Sequence, residues 1–286
     1  MEAYKVLILG GNRFVGKLLA EALIKLKHEA TVFNRKGTGP KGCFIIKGDR
    51  NNLEDLKQID FNYFDCVVDM CLYNSGQFKL IEPLLNKGAN YIFISSGAAY
   101  KDPDIWPIDE KDELLGMEAY GNYGVEKAEV EKLISESSLI DYKILRPTYI
   151  VGEGNHNPRL GHYIKCLKNE ETIHIAGNGE NIISLVFADD IVDLILLMIT
   201  SDKYYATEDY NVCNDEFLTV NSLVNIIANK LNIKEYHIEH NSSEAILPPN
   251  NYGVFKNDKV KTSYNIKFKN LKESLPKYIK WYNKNY

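Results

Sequence analysis

The sequence predicts an α/β chain: a doubly wound parallel sheet with a smaller mixed lobe toward the carboxyl end. Three observations carry that reading. An apolar run, Val6-Leu7-Ile8-Leu9, breaks abruptly into the pair Gly10-Gly11. Phe14, Val15, Leu18, Leu19, Ala22, Leu23 and Leu26 then recur at helical period. From there apolar strands alternate with helical stretches, which implies right-handed crossovers and a sheet covered on both faces.

The opening reads as buried strand, tight turn and helix, the first unit of a dinucleotide-binding fold. Gly10 takes the turn, and Gly11 leaves room for backbone to approach a pyrophosphate. The helix amino end offers unpaired N–H groups to that anion, and Gly16 lets the helix lie close to the strand. Asn12, Arg13, Phe14 and Val15 complete the turn, with Arg13 where a middle glycine usually stands. Ala30 to Asn34 is a second strand, and a loop marked by Gly37, Gly39, Pro40 and Gly42 follows Asn34-Arg35-Lys36. Cys43 to Lys47 is a third strand, and Asn52 caps a helix into Leu56. Asp65 to Met70 is a fourth strand, and Ser75 to Lys87 is a helix with Gly88 as its stop. Tyr91 to Ser95 is a fifth strand. The stretch from Ala98 to Met117, with Pro103, Trp106 and Pro107, is a loop long enough to be functional. Tyr120 to Ser138 is a helix, and Tyr142 to Arg146 is a sixth strand stopped by Pro147.

Beyond Gly152 the regularity weakens. A helix near Leu160 to Lys168 and a Gly177-Asn178-Gly179 turn lead to Leu185-Val186-Phe187. Asp189 and Asp190 read as helix caps, opening a helix through Ile199. A short strand at Tyr210-Asn211-Val212 and helices near Val220 to Leu231 and Leu271 to Tyr282 complete the chain. Residues 1–150 and 181–213 are expected to form the dinucleotide-binding domain, and 151–180 and 214–286 a substrate-binding lobe.

Composition narrows the function classes. Over 286 residues, 45% are hydrophobic and 26% charged, the balance of a soluble globular protein. A net charge of -5 argues against a nucleic-acid surface, which needs a basic stripe. The five cysteines (Cys43, Cys66, Cys71, Cys166 and Cys213) are scattered and odd in number. They read as free thiols, neither a disulfide framework nor a zinc site. His156, His162 and His174 also lack metal spacing, so no metal is expected. The apolar run Ile191 to Ile199 is far shorter than the roughly 20 residues of a membrane span. The amino terminus enters the first strand with no room for a signal peptide, so the chain reads as cytoplasmic, with no membrane partner.

A second pattern lies where the sheet would need a reaction centre. Ser95-Ser96-Gly97 follows the fifth strand, and Tyr123 and Lys127 lie one helical turn apart on the next helix. A phenol titrates near 10, and a neighbouring ammonium favours the phenolate and brings it into working range. Ser96 could hydrogen-bond the same substrate oxygen at the carboxyl end of its strand. The Tyr-x-x-x-Lys spacing recurs at Tyr252 and Lys256, where no neighbouring motif supports it.

The cofactor is read at the end of the second strand. An NAD enzyme usually places Asp or Glu there, on the ribose 2′-hydroxyl. This chain has neutral Asn34 followed by Arg35 and Lys36, which favours NADP over NAD, and Arg13 could reach the same phosphate.

With these motifs the chain resembles the short-chain dehydrogenase/reductase superfamily. It lies close to the extended epimerase and dehydratase branch, in an atypical subgroup whose turn reads Gly-Gly-x-x-x-x-Gly. Phe93 to Tyr100 resembles the family's serine segment, and Leu145 to Gly152 its arginine-proline segment. Val186 to Asp190 and Tyr210 to Val212 resemble later markers. The resemblance implies a Rossmann fold and a catalytic triad of Ser96, Tyr123 and Lys127. Lys127 would also hold the nicotinamide ribose, Pro147 would lie beside the nicotinamide, and Asp49 would accept from the adenine amino group. Arg50, Met70 and Cys71 join the expected cofactor contacts.

The implied activity is hydride transfer on a hydroxyl or carbonyl substrate, as oxidoreductase or epimerase/dehydratase. The substrate would be a small molecule, sugar-like in the family. Sugar-nucleotide members clamp the diphosphate with an arginine at the position of Ile183, and Arg159 could supply charge from another direction. Asn74 lies near the proton-relay region of the family. A homodimer through paired helices is a family expectation. The alternative is a binding module on the same fold, since related members include chloroplast stem-loop RNA-binding proteins; a cofactor-sensing protein without turnover is a third reading.

Overall fold

The computed structural model describes residues 3–155, 159–201, 207–248 and 250–286; His156 falls outside them. The chain opens with β1 (Lys5–Leu9), α1 (Phe14–Lys25), β2 (Glu29–Asn34), β3 (Phe44–Lys47), α2 (Leu53–Leu56), β4 (Cys66–Asp69), α3 (Ser75–Ile81) and β5 (Ala89–Ile94). It continues through α4 (Asn122–Glu136), β6 (Ile140–Pro147), β7 (Tyr149–Val151), α5 (Arg159–Lys168), β8 (Ile173–His174), β9 (Ile182–Ile183), β10 (Leu185–Phe187) and α6 (Ala188–Thr200). It closes with β11 (Glu208–Val212), β12 (Leu218–Thr219), α7 (Val220–Leu231), β13 (Ile238–Glu239), α8 (Asp258–Tyr264) and α9 (Leu271–Asn285).

Seven strands form one parallel sheet in the order β11-β6-β5-β4-β1-β2-β3. The two-residue alternation of β1 separates its faces. Val6 and Ile8 join Leu19, Val32 and Ile195 in the core under α1 and α6, whereas Leu7 and Leu9 join Phe33, Phe78, Tyr91 and Ile134 under α3 and α4. Covering both faces explains why the strands read as nearly continuous apolar runs. The strand order reverses between β1 and β4, so a crevice opens at the carboxyl ends of those two strands. A third core, with Tyr163, Ile164, Val224, Ile227 and Leu275, joins α5, α7 and α9. The boundary expected at residue 213 is not kept by the packing. Val260, Tyr264 and Phe268 join the sheet-side core with Tyr210 instead.

Several elements depart from their expected bounds. The third helix stops at Ile81, not Lys87, and a tight turn over Glu82–Leu84 follows. Pro83 has no N–H for the helical ladder, and its ring would clash one turn back. The helix expected from Tyr120 starts at Asn122, because Gly121 takes φ +50 and breaks it from the Glu118–Tyr120 turn. Asp189 and Asp190 do not cap α6, whose first turn contains them while Phe187 stands at the cap. Their carboxylates face the carboxyl-terminal segment instead. Asp190 accepts from Lys269 Nζ at 2.7 Å and Asp189 from Lys277 Nζ at 2.6 Å, tying α6 to the residues around α9. No helix among the described residues is long and apolar enough to cross a membrane.

Candidate functional site

A cleft of about 460 Å3 occupies the strand-order reversal. Gly10, Asn12, Arg13, Phe14, Val15, Gly16, Asn34, Arg35, Asp49, Arg50, Met70 and Cys71 line it, as do Lys36, Tyr73, Gln77, Ile94 and Ile150. Gly11, Lys127 and Pro147 do not. Gly10 turns the chain at φ +94, as the turn requires. Gly16 packs the helix onto the turn, since a Cβ there would sit 2.9 Å from Gly10 O.

Gly11 departs from its expected role. A Cβ on it would fall 2.5 Å from Val32 Cγ1, so its missing side chain makes room for β2, not for a pyrophosphate. Asn34 lines the cleft with its side chain already engaged. Its carbonyl accepts from Lys36 N at 3.1 Å and Thr38 N at 3.4 Å, and its amide donates to Thr38 O at 2.8 Å. Asn34 therefore shapes the loop that carries Arg35 and Lys36.

Arg50 is similarly committed, donating in fork geometry to Asp69 at 2.7 and 2.9 Å. Tyr91 also donates to Asp69, at 2.6 Å. Burial opposes the Arg50 charge, and the Asp69 carboxylate more than restores it. Asp49 accepts from Asn51 N at 2.9 Å, which together with Arg35 and Arg50 holds its carboxyl below the usual range.

The cleft fits a dinucleotide on four observations. No side chain caps α1, so the first N–H groups of that helix are left for another acceptor. Arg50 Nε is buried with no partner in the protein. Arg13, Arg35 and Lys36 line the cleft without an ion pair among the described residues. Gly16 keeps the turn and helix close enough to form one wall.

The reaction-centre candidates meet at the carboxyl end of β5. Ser96 caps the Gly97–Ala99 turn, accepting from Ala98 N at 3.2 Å. Lys127, buried on α4, donates to Leu72 O at 2.9 Å and Ile94 O at 3.0 Å, and lies 4.5 Å over the Phe93 ring. Burial pulls its ammonium down to about 8, partly opposed by Asp69 and Glu131. Tyr123 departs from the expected lowering. Burial around its hydroxyl raises the phenol, and a hydrogen bond from Ser96 only partly offsets that. Lys127 Nζ is held by two backbone carbonyls, 5.9 Å from the Tyr123 ring centroid, and does not outweigh that burial.

Two features at this centre were not read from the sequence. Tyr252, whose spacing to Lys256 has no supporting motif, brings its hydroxyl to 3.4 Å from Ser96 Oγ. Lys256 itself points away, to Asp109 at 3.0 Å. The second is Glu131, one turn beyond Lys127. It accepts from Ser95 Oγ and pairs with Arg146 at 2.8 Å. Arg146 also reaches Tyr100 at 2.7 Å and Asp209 at 2.8 Å, and Tyr100 donates to Asn211 at 2.7 Å. That buried network locks α4 to the ends of β5, β6 and β11. A carboxylate on the same helical face as Tyr123 and Lys127 was its one local signal. Asn74 caps α3 by accepting from Gln77 N at 3.0 Å, and Ile183 is buried in β9. Arg159 lies 4.4 Å over the Tyr149 ring, whose centroid is in turn 4.4 Å from that of Tyr252, the two rings tilted by 43°. Among the described residues, no three metal-ligating side chains are grouped to hold an ion.

A parallel sheet with a cationic cleft at its order reversal, next to a serine, tyrosine and lysine, defines a Rossmann-type nicotinamide-cofactor protein. Residues 6–213 match the NAD dependent epimerase/dehydratase family, and the chain belongs to it. A chloroplast stem-loop binding protein of 41 kDa from Arabidopsis thaliana is 28% identical over 257 residues, covering 82% of this chain. The chain spans 65% of the length of that relative. A UDP-glucose 4-epimerase from Thermotoga maritima, solved with UDP-glucose, shares the fold at TM-score 0.81 and 18% identity, over 98% of this chain and 99% of that one. A UDP-glucose 4-epimerase from Thermus thermophilus, solved with NAD, superposes at TM-score 0.78 and 16% identity, over 99% of this chain and 100% of that one.

Proposed function

We propose that the protein is an NADP-dependent oxidoreductase of the epimerase/dehydratase type, acting on a hydroxyl-bearing or carbonyl carbon of a small, sugar-like substrate. Ser96, Tyr123 and Lys127 are its reacting set, and the lobe built on α5, α7 and α9 supplies the substrate side. The observation that carries the reading is the continuity of the two sites. Ile94 lines the cofactor cleft and its carbonyl takes a hydrogen bond from Lys127, one residue before the Ser95-Ser96 pair.

The amino end of α1 would hold the pyrophosphate, and Arg13, Arg35 and Lys36 the adenosine end. The bound nicotinamide supplies a hydride donor and acceptor. Tyr123, protonated at neutral pH, gives its proton to a developing alkoxide, and Ser96 donates a hydrogen bond to the same oxygen. Lys127, held by Leu72 O and Ile94 O, keeps a positive charge near the Tyr123 ring as the phenol ionises. Arg159 offers a guanidinium to an anionic part of the substrate from the face of Tyr149.

Three cations with no ion pair among the described residues and no acid at position 34 support NADP over NAD. NADP+ is expected to bind more tightly than NAD+. Arg35→Ala should weaken NADP+ by about 10–100-fold, the size of a lost charge-assisted hydrogen bond, and leave NAD+ within about threefold. Equal affinities in a calorimetric titration, or a preference untouched by Arg35→Ala, refute the assignment. The stem-loop-binding relative motivates the competing reading of an RNA-binding protein. Salt-sensitive RNA binding that survives Tyr123→Phe would decide for it.

A further inference from the structure

We propose that Tyr252 is a positioning residue for Ser96: its phenol donates to the serine oxygen, so that Ser96 serves only as a donor toward Tyr123 and the substrate oxygen. The inference rests on the reading of Ser96 and Tyr123 as reacting partners. It begins from the capacity of a hydroxyl, which has one proton and two acceptor lone pairs. Ala98 N–H occupies one lone pair of Ser96 at 3.2 Å, and the Tyr252 hydroxyl approaches the same oxygen at 3.4 Å. A phenol is a stronger acid than an alkyl hydroxyl, so the better donor of the pair is Tyr252. With both lone pairs filled, the Ser96 proton has only one useful direction, forward to Tyr123 or the substrate. The 3.4 Å separation is longer than the 2.5–3.0 Å of an ordinary O–H···O bond. Catalytic contacts of that length commonly tighten when a substrate is bound.

Tyr252 is built to hold this place. It is 3% exposed, with its N–H donating to Ile182 O at 2.9 Å and its carbonyl accepting from Ser184 N at 3.1 Å. Its ring lies 4.4 Å from Tyr149 and 4.8 Å from Tyr120. Three residues on, Phe255 packs where a Gly97 Cβ would stand, so the segment lies directly on the serine turn. Burial raises the Tyr252 phenol, which keeps it a proton donor across the neutral range.

The test is a spectroscopic signature of Tyr123 that ring packing alone does not move. The full chain is labelled with 13Cζ-tyrosine, and the Tyr123 resonance is assigned by its loss in Tyr123→Phe. At pH 8, Ser96→Ala is expected to displace that resonance. Tyr252→Phe, which keeps the ring and the fold, should displace it in the same direction by roughly 10–30% as much, the scale of hydrogen-bond cooperativity. Tyr252→Phe added to Ser96→Ala should do nothing further. If Ser96→Ala moves the resonance and Tyr252→Phe does not, the proposal falls and the reacting pair stands. A displacement in the opposite direction overturns it too, because Tyr252 would then be competing for the Ser96 proton. If Ser96→Ala itself moves nothing, the Ser96–Tyr123 pairing fails, and the proposal fails with it.

Discussion

Replacing Lys127 by methionine isolates the cost of its buried charge. Lys127 is 3% exposed and makes two hydrogen bonds to backbone carbonyls, with no ion pair among the described residues. Burial lowers it from the ordinary 10.5 to about 8. At about 1.4 kcal/mol per pH unit, that fall corresponds to about 3 kcal/mol. The unfolded chain holds the Lys127 proton up to about 10.5, whereas the folded chain releases it near 8. The unfolded state thus binds more protons in that window, and wild-type stability rises with pH through it. Denaturant unfolding of wild type and Lys127→Met at intervals from pH 7 to 10.5 reads this directly. The wild type should gain about 3 kcal/mol relative to the variant across the window, with the other titrating groups cancelling in the difference. Parallel curves would refute the argument, and so would a wild type that loses stability relative to the variant as pH rises.

Glu131→Gln should destabilise the fold by about 3 kcal/mol, at the lower end for breaking a buried pair because Arg146 keeps Asp209. Thermal or denaturant unfolding measures it, and a neutral result would mean that the network around α4 adds no net stability. Gly11→Ala should cost about 1–3 kcal/mol by crowding Val32. The folded fraction should keep its NADP+ affinity; lost affinity at unchanged stability would restore the pyrophosphate role for Gly11.

Much of the fold was legible because its signals are local. The apolar strands, Gly10 at its positive φ, the Asn52 cap and the alternation of strands with helices follow from nearest-neighbour chemistry. Boundaries were less legible where a single residue cut a periodic pattern, as Pro83 and Gly121 do. Most of the residues expected at the cofactor do line one cleft, because the amino end of α1 and the ends of β2 and β4 must meet at the order reversal. Their individual tasks were not legible. Whether Asn34, Arg50 and Gly11 face a ligand or their own neighbours depends on partners such as Thr38, Asp69 and Val32.

By itself the sequence determined a family, a cofactor class and a serine, tyrosine and lysine at spacings that a strand and helix would bring together. Those are consequences of residue type and short-range period. Tertiary structure decided the rest, because hydrogen bonds and burial act between atoms near in space, whatever their separation along the chain. It turned Lys127 toward Leu72 and Ile94, 55 and 33 residues away, and it packed other elements around the Tyr123 hydroxyl, where burial raises the phenol. It also brought Tyr252 across 156 residues to Ser96, where no local pattern could have placed it.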